Sequence, residues 1–288
     1  MKSAILSSVK ISLSTNWCNR RIEDGREIAE KAMELGFDGL ELGFHTIEPQ
    51  VAGFKSMLGR IPVGSVHAFV PVPISAPQGY PELYQLASVD EEERRIARFH
   101  IVRNIEFASD MGADCVVLHA GRVKCRGFIR RWDEKRRIRR GRKVAELFRR
   151  ELETLAPVLE KHRVTLALEN LPYLEGFPSE SELTSLCGDR VKGWFDTGHD
   201  HVRKEKGWLE KGSVPDCRFF AGMHVHDSRG EDDHLAPGEG DIDFSRFTAF
   251  ARSVGHIVFE PSADVDEERL KKGLQFIRSL WSGAESVK

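Results

Sequence analysis

Apolar and β-branched residues bunch into short runs at positions 9–15, 39–44, 63–69, 115–121, 165–170, 193–197, 222–227 and 256–260. Each run has the length of a strand, and its nearly unbroken apolar character fits a strand covered on both faces. Between the runs, apolar residues recur every three or four positions, as at Ile28, Ala32 and Leu35, or Ala97, Ile101, Ile105 and Ala108. The last such stripe is Leu270, Leu274, Ile277 and Trp281. That spacing marks a helix with one buried face. Gly36 and Gly112 fall where such helices should stop, since glycine takes the left-handed backbone of a helix end without steric cost.

Eight strand–helix alternations in a chain of this length predict an α/β fold, a (β/α)8 TIM barrel, with 1–288 forming a single domain. A doubly wound open sheet is the competing arrangement. It would carry a glycine-rich phosphate turn after an early strand, and the sequence has none.

Composition narrows the class. The chain has 288 residues, of which 40% are hydrophobic and 31% charged, with a net charge of −2, so a largely disordered chain is excluded. No apolar run is long enough to span a bilayer, so no membrane partner is expected. Residues 1–15 lack the uninterrupted apolar stretch of a secretory signal. The five cysteines (Cys18, Cys115, Cys125, Cys187 and Cys217) are odd in number and contain no CxxC pair, which argues against a disulfide scaffold. A cytoplasmic protein is the expectation. One asymmetry interrupts the near-neutral balance: the segment 122–143, after the fourth strand, holds twelve Lys or Arg against Asp133 and Glu134. Such a block is a solvated helix face or a contact for phosphate or nucleic acid.

The ends of the strands carry the chemistry. The third run ends in His67, the fourth in His119, the fifth in Glu169 and Asn170, and the sixth in Asp196, Thr197, Gly198 and His199. The seventh carries His224, His226 and Asp227, followed by Asp232, Asp233 and His234, and the eighth ends in Glu260. A barrel gathers its strand ends at one mouth, where catalytic groups lie. Carboxylates and imidazoles crowded together there repel or stay unsatisfied without a partner, and a divalent cation resolves the conflict.

These phrases resemble the xylose-isomerase-like TIM-barrel superfamily, which holds sugar phosphate isomerases and epimerases together with endonuclease IV-type AP endonucleases (family 2). The resemblance runs from the first strand to the last. It is carried by the residues 65–68 and 118–121, by Glu169-Asn170, by the run from Asp196 to His199, by Met223-His224, by the stretch from Asp232 to Phe244, and by Glu260. It implies a metal centre. Sugar isomerases and epimerases of this kind hold one ion with a quartet matching Glu169, Asp196, His224 and Glu260. The nucleases hold three zinc ions, adding positions that match His67, His119, His199, Asp232 and His234. The implied cofactor is a divalent metal, zinc or manganese, at one to three ions per chain.

Two reaction classes follow from the resemblance. In the first, a metal-dependent sugar or sugar-phosphate isomerase or epimerase moves a proton next to a carbonyl, with Glu169 and Glu260 as the catalytic acid/base pair. Its partner is a small-molecule carbohydrate or sugar phosphate. In the second, an endonuclease IV-like zinc phosphodiesterase acts on nucleic acid held by the segment 122–143. Nuclease-type phrases are missing: the sixth strand has no cysteine beside Asp196, and His226 stands where asparagine is usual. The isomerase is therefore preferred. His226 is expected to project away from His224 and to support a ligand from behind or pack, Asp227 to orient a ligand, and Trp17 to line the pocket or pack. No particular oligomeric state is implied.

Overall fold

Strands buried on both faces must satisfy their backbone groups in a sheet without exposed edges, and here they do so by closure. The computed structural model describes residues 9–123, 130–209 and 213–282. The chain begins with β1 (Ser12–Ser14), α1 (Gly25–Leu35), β2 (Gly39–Leu42), α2 (Glu48–Met57), β3 (Val63–His67), α3 (Glu91–Asp110) and β4 (Cys115–Leu118). It continues through β5 (Gly121–Arg122), α4 (Arg130–His162), β6 (Thr165–Glu169), β7 (Gly176–Phe177), α5 (Glu180–Leu186), β8 (Val191–Asp196) and α6 (Thr197–Glu205). It ends with β9 (Phe220–Val225), β10 (Asp227–Arg229), β11 (Asp232–Leu235), α7 (Thr248–Ser253), β12 (His256–Phe259) and α8 (Glu267–Ser282).

Eight strands form a closed parallel barrel in the order β1, β12, β9, β8, β6, β4, β3, β2, as the alternation of elements predicts. The short antiparallel pairs β5–β7 and β10–β11 are built from segments that follow barrel strands, and so lie at the C-terminal mouth. All eight expected strands are present, but each stops one to three residues before the apolar pattern does. The polar residues at those positions leave the ladder. Thr15, for example, opens a turn of 3-10 helix, and Thr197 opens α6.

Two layers of core hold the barrel. The larger lies between strands and helices, and the smaller fills the barrel interior with Cys115, Val117, Ala167, Trp194 and Val258. The indole of Trp194 meets the ring of His224 edge-on at 5.2 Å, so this apolar plug forms the floor of the mouth. Helix ends follow sequence chemistry. Asp24 caps α1 by accepting from the Arg26 amide at 2.8 Å, and Gly36 ends that helix with φ +94°. No helix among the described residues is long and apolar enough to cross a membrane.

Part of the basic segment 122–143 is described. Residues 124–129, and the side chains of 130–138, lie outside the described residues. Arg122 forms a paired contact with Glu82 at 2.6 and 3.0 Å and lies 3.8 Å over the ring of Tyr173. Arg139, Arg140, Arg142 and Lys143 are exposed on α4.

Helices α3 and α4 are joined by a charge cluster. Glu151, 6% exposed, accepts from Arg94 Nε at 3.0 Å and from Arg98 Nη1. Removing one partner of a buried pair leaves an uncompensated charge, which costs about 3–5 kcal/mol. Glu151→Ala should therefore lower the unfolding free energy by about that amount. The check is the urea midpoint at unchanged slope, with Glu151→Leu/Arg94→Met recovering much of the loss.

Candidate metal centre

Four adjacent barrel strands supply the central group. Glu169 is the last residue of β6, Asp196 the last of β8, His224 sits in β9, and Glu260 follows β12. Asp196 and His224 are register partners, which sets their side chains side by side. One donor atom from each of the four lies within 4.8 Å of the other three. His224 Nδ1 is 3.2 Å from Glu260 Oε2, 3.4 Å from Glu169 Oε2 and 3.7 Å from Asp196 Oδ2. All four residues are buried.

This arrangement fits a cation. Among the described residues, neither Glu169 Oε1 nor His224 Nδ1 has a hydrogen-bond partner, although both are buried. Buried polar atoms left without partners are costly, and a divalent ion between them would satisfy both. Three carboxylates and one imidazole make a donor set suited to manganese or zinc. Among the described residues the ion pairs of Glu169 are all with imidazoles, and none is with an arginine.

A second donor group shares Glu169. His67 Nε2 lies 3.2 Å and His119 Nε2 3.3 Å from Glu169 Oε2. Burial alone would push the Glu169 carboxyl up, but His119 and His224 outweigh it and hold the group well below the usual carboxylate range. His119 responds in the opposite sense. Burial pulls it down, yet Glu169 and Glu82 raise it to about 9. For His199, burial is likewise overcome by Asp196 and Glu169, which bring it to about 10.

A third group gathers His199, His226 and His234. His199 Nδ1 donates to the Asn170 carbonyl at 2.9 Å, and His234 Nδ1 to the Glu260 carbonyl at 2.8 Å. Each ring thereby keeps Nε2 for a ligand. Both nitrogens of His226 are engaged within the protein. Nδ1 accepts from the His234 amide at 2.8 Å, and Nε2 donates to Asp196 Oδ1 and Oδ2 at 2.9 and 3.0 Å.

Three sequence expectations change. His226 does not project away from His224, because residues two apart on an extended chain share a face; it joins the site as the support of Asp196. Asp232 is exposed on β11 and belongs to none of the donor groups among the described residues. His234 has φ +58°, and this left-handed turn breaks the alternation that would set Asp232 beside it. The charge of Asp233 acts on His199 and His226. Among the described residues the Asp227 carboxylate accepts from the amides of Ser228, Gly238 and Ile242 rather than from a side chain of the donor groups, and so ties down the loop after β9. Trp17 is a packing residue, 3% exposed, with Nε1 donating to the Val265 carbonyl.

Two residues escaped the sequence reading. Asn16 Nδ2 donates to Glu260 Oε1 at 3.0 Å, leaving Oε2 turned to His224. Glu41 is fully buried and faces the other side of the His224 ring, with Oε1 3.0 Å from Nε2. A single acid inside an otherwise apolar strand was the only signal for Glu41.

The profile of the xylose isomerase-like TIM barrel family matches residues 29–280. Among curated proteins, none matches this sequence. Similar solved structures include a D-tagatose 3-epimerase-like protein, 19% identical with TM-score 0.65, covering 94% of this chain and 98% of that one. The 3-keto-D-glucoside 4-epimerase of E. coli is 17% identical with TM-score 0.69, at 94% and 99% coverage. The IolI protein with a bound zinc atom is 14% identical with TM-score 0.69, also at 94% and 99%. At these identities the likeness establishes the fold.

One glycine tests how tightly the site is built. A Cβ on Gly198, in the first turn of α6, would stand 2.0 Å from His226 Cε1. Gly198→Ala must push that ring aside and disturb its hydrogen bonds to Asp196. The expected outcome is a loss of about 1–3 kcal/mol in urea unfolding, as for other overpacked cores, together with weaker metal uptake by elemental analysis.

Proposed function

The chain belongs to the xylose isomerase-like TIM-barrel family, and from that premise we propose that it is a metal-dependent isomerase or epimerase of a sugar or sugar phosphate. The observation that carries this reading is the placement of Glu169 and Glu260. Two buried carboxylates on strands separated by β8 and β9 converge on one imidazole nitrogen, at 3.4 and 3.2 Å. Shifting a proton beside a carbonyl needs a base on one side of the carbon and an acid on the other. The solved epimerases of the same fold support this choice of chemistry.

Glu169, Asp196, His224 and Glu260 would hold the ion, which supplies a Lewis-acidic charge beside the substrate oxygens. Glu169 takes the proton from the carbon next to the carbonyl, and Glu260 returns one. Asn16 fixes one oxygen of Glu260, so the other is presented in a single orientation. Asn170 accepts from the Asp196 amide at 2.7 Å and donates to its carbonyl at 3.0 Å, clamping the two strand ends together. His67 and His119 offer imidazoles to substrate hydroxyls.

Glu169→Gln and Glu260→Gln keep the shape but remove the base, so each should lower turnover by ~10²-fold or more, the usual worth of a general base. Assay of aldose–ketose pairs and their phosphates, with uptake of deuterium from solvent, reads this directly. Near-wild-type turnover in either variant would refute the assigned roles.

A second reading rests on the shared oxygen of Glu169. His67, His119 and Glu169 form a donor group of their own, which suits a second ion and phosphodiester hydrolysis, with 122–143 against a nucleic-acid backbone. Metal content separates the two. One ion per chain, unchanged by His234→Ala, supports the isomerase; two or three zinc ions, one of them lost in that variant, support hydrolysis.

A further inference from the structure

Glu41 is a buried acid to which the chemistry above gives no task. It sits on β2 and reaches across the barrel interior to His224 on β9, three strands away around the ring. Its Oε1 is 3.0 Å from His224 Nε2, and its Oε2 accepts from Ser65 Oγ at 2.8 Å. Ser65 is its register partner on β3, so the serine holds the carboxylate from the side. With a hydroxyl donor on one oxygen, the carboxylate offers its other oxygen as an acceptor, and the hydrogen between Glu41 and His224 belongs on Nε2. An imidazole protonated at Nε2 has its lone pair on Nδ1, the atom that faces Glu169, Asp196 and Glu260.

The walls around the ring leave little else to choose. His67 stacks on His224 with ring centroids 5.7 Å apart and planes within 2°, and Trp194 meets it edge-on. The plane is thus set by packing, and the identity of the protonated nitrogen is set by the carboxylate. An isolated buried acid is costly, and Ser65 alone is a modest partner for it. A carboxylate behind a metal-binding histidine, by contrast, fixes the tautomer and makes the ring a better donor. We propose that Glu41 is a positioning residue that presents His224 Nδ1 to a divalent cation, an inference that rests on the metal-dependent reading of the site.

The test compares wild type with Glu41→Gln and Glu41→Met by chelator competition for manganese and zinc, with urea unfolding of each metal-free form alongside. Loss of such a partner weakens metal binding about 10–100-fold. The Met variant should fall near the upper end and the Gln variant near the lower, because the Gln amide oxygen still accepts from Nε2–H. A merely structural role would lower metal-free stability and leave the dissociation constant of the folded protein unchanged. NMR of wild type loaded with spin-active cadmium gives a readout that needs no variant: coupling to Hε1 of His224 alone marks ligation through Nδ1, and coupling to both ring carbon-bound protons marks Nε2. If the Met variant fails to fold, the Gln variant and the cadmium spectrum carry the test. Tight wild-type binding with unaffected variants, or ligation through Nε2, overturns this proposal alone. Failure of the wild type to take up metal overturns it together with the metal-dependent reading.

Discussion

Four buried carboxylates, Glu41, Glu169, Asp196 and Glu260, share the inside and mouth of this barrel, and their mutual repulsion is the constraint to which the surrounding structure answers. At an effective dielectric near 20, two unit charges ~4 Å apart repel by about 4 kcal/mol. The barrel meets that cost with imidazoles. His67, His119, His199 and His224 approach Glu169, His224 also approaches Glu41 and Glu260, and His226 holds Asp196. Ordered hydrogen bonds then divide the carboxylate oxygens between protein donors and the open centre. A divalent ion at that centre would complete the neutralisation without an additional residue.

The barrel was legible because burial on both faces makes each strand a nearly continuous apolar run, and because glycine marks helix ends such as Gly36. Polar residues that break an apolar run at its end, such as Glu169, Asp196 and Glu260, pointed to the mouth for a related reason, and the family resemblance singled them out together with His224. Residues that break the run elsewhere gave no comparable sign. Glu41 lies inside the short strand Gly39–Leu42, where sequence alone cannot tell an inward acid from an outward one. Asp232 matched a pattern, yet the positive φ of His234 reorients the hairpin and leaves Asp232 in solvent. Local backbone conformation of that kind is set by the hydrogen bond from His234 to His226, a tertiary contact between residues eight apart.

Fold and chemistry depend on different features of the chain. Structures only 14–19% identical superpose over nearly the whole chain, since the barrel depends on apolar pattern more than on particular side chains. The choice between proton transfer and hydrolysis turns on a handful of imidazoles around Glu169. His67 and His119 can serve a substrate or a second ion from the same positions, so stoichiometry rather than shape distinguishes the chemistries.

Asp196 closes β8 and also caps α6, with Oδ1 accepting from the His199 amide at 2.7 Å. The same carboxylate therefore belongs to the centre and to the first turn of a helix. Whatever binds it only in the folded state shifts the local opening equilibrium of that turn by mass action. Occupancy of the mouth and protection of the α6 backbone from solvent exchange are accordingly one linked equilibrium, so that an event at the centre is recorded along a helix on the outside of the barrel.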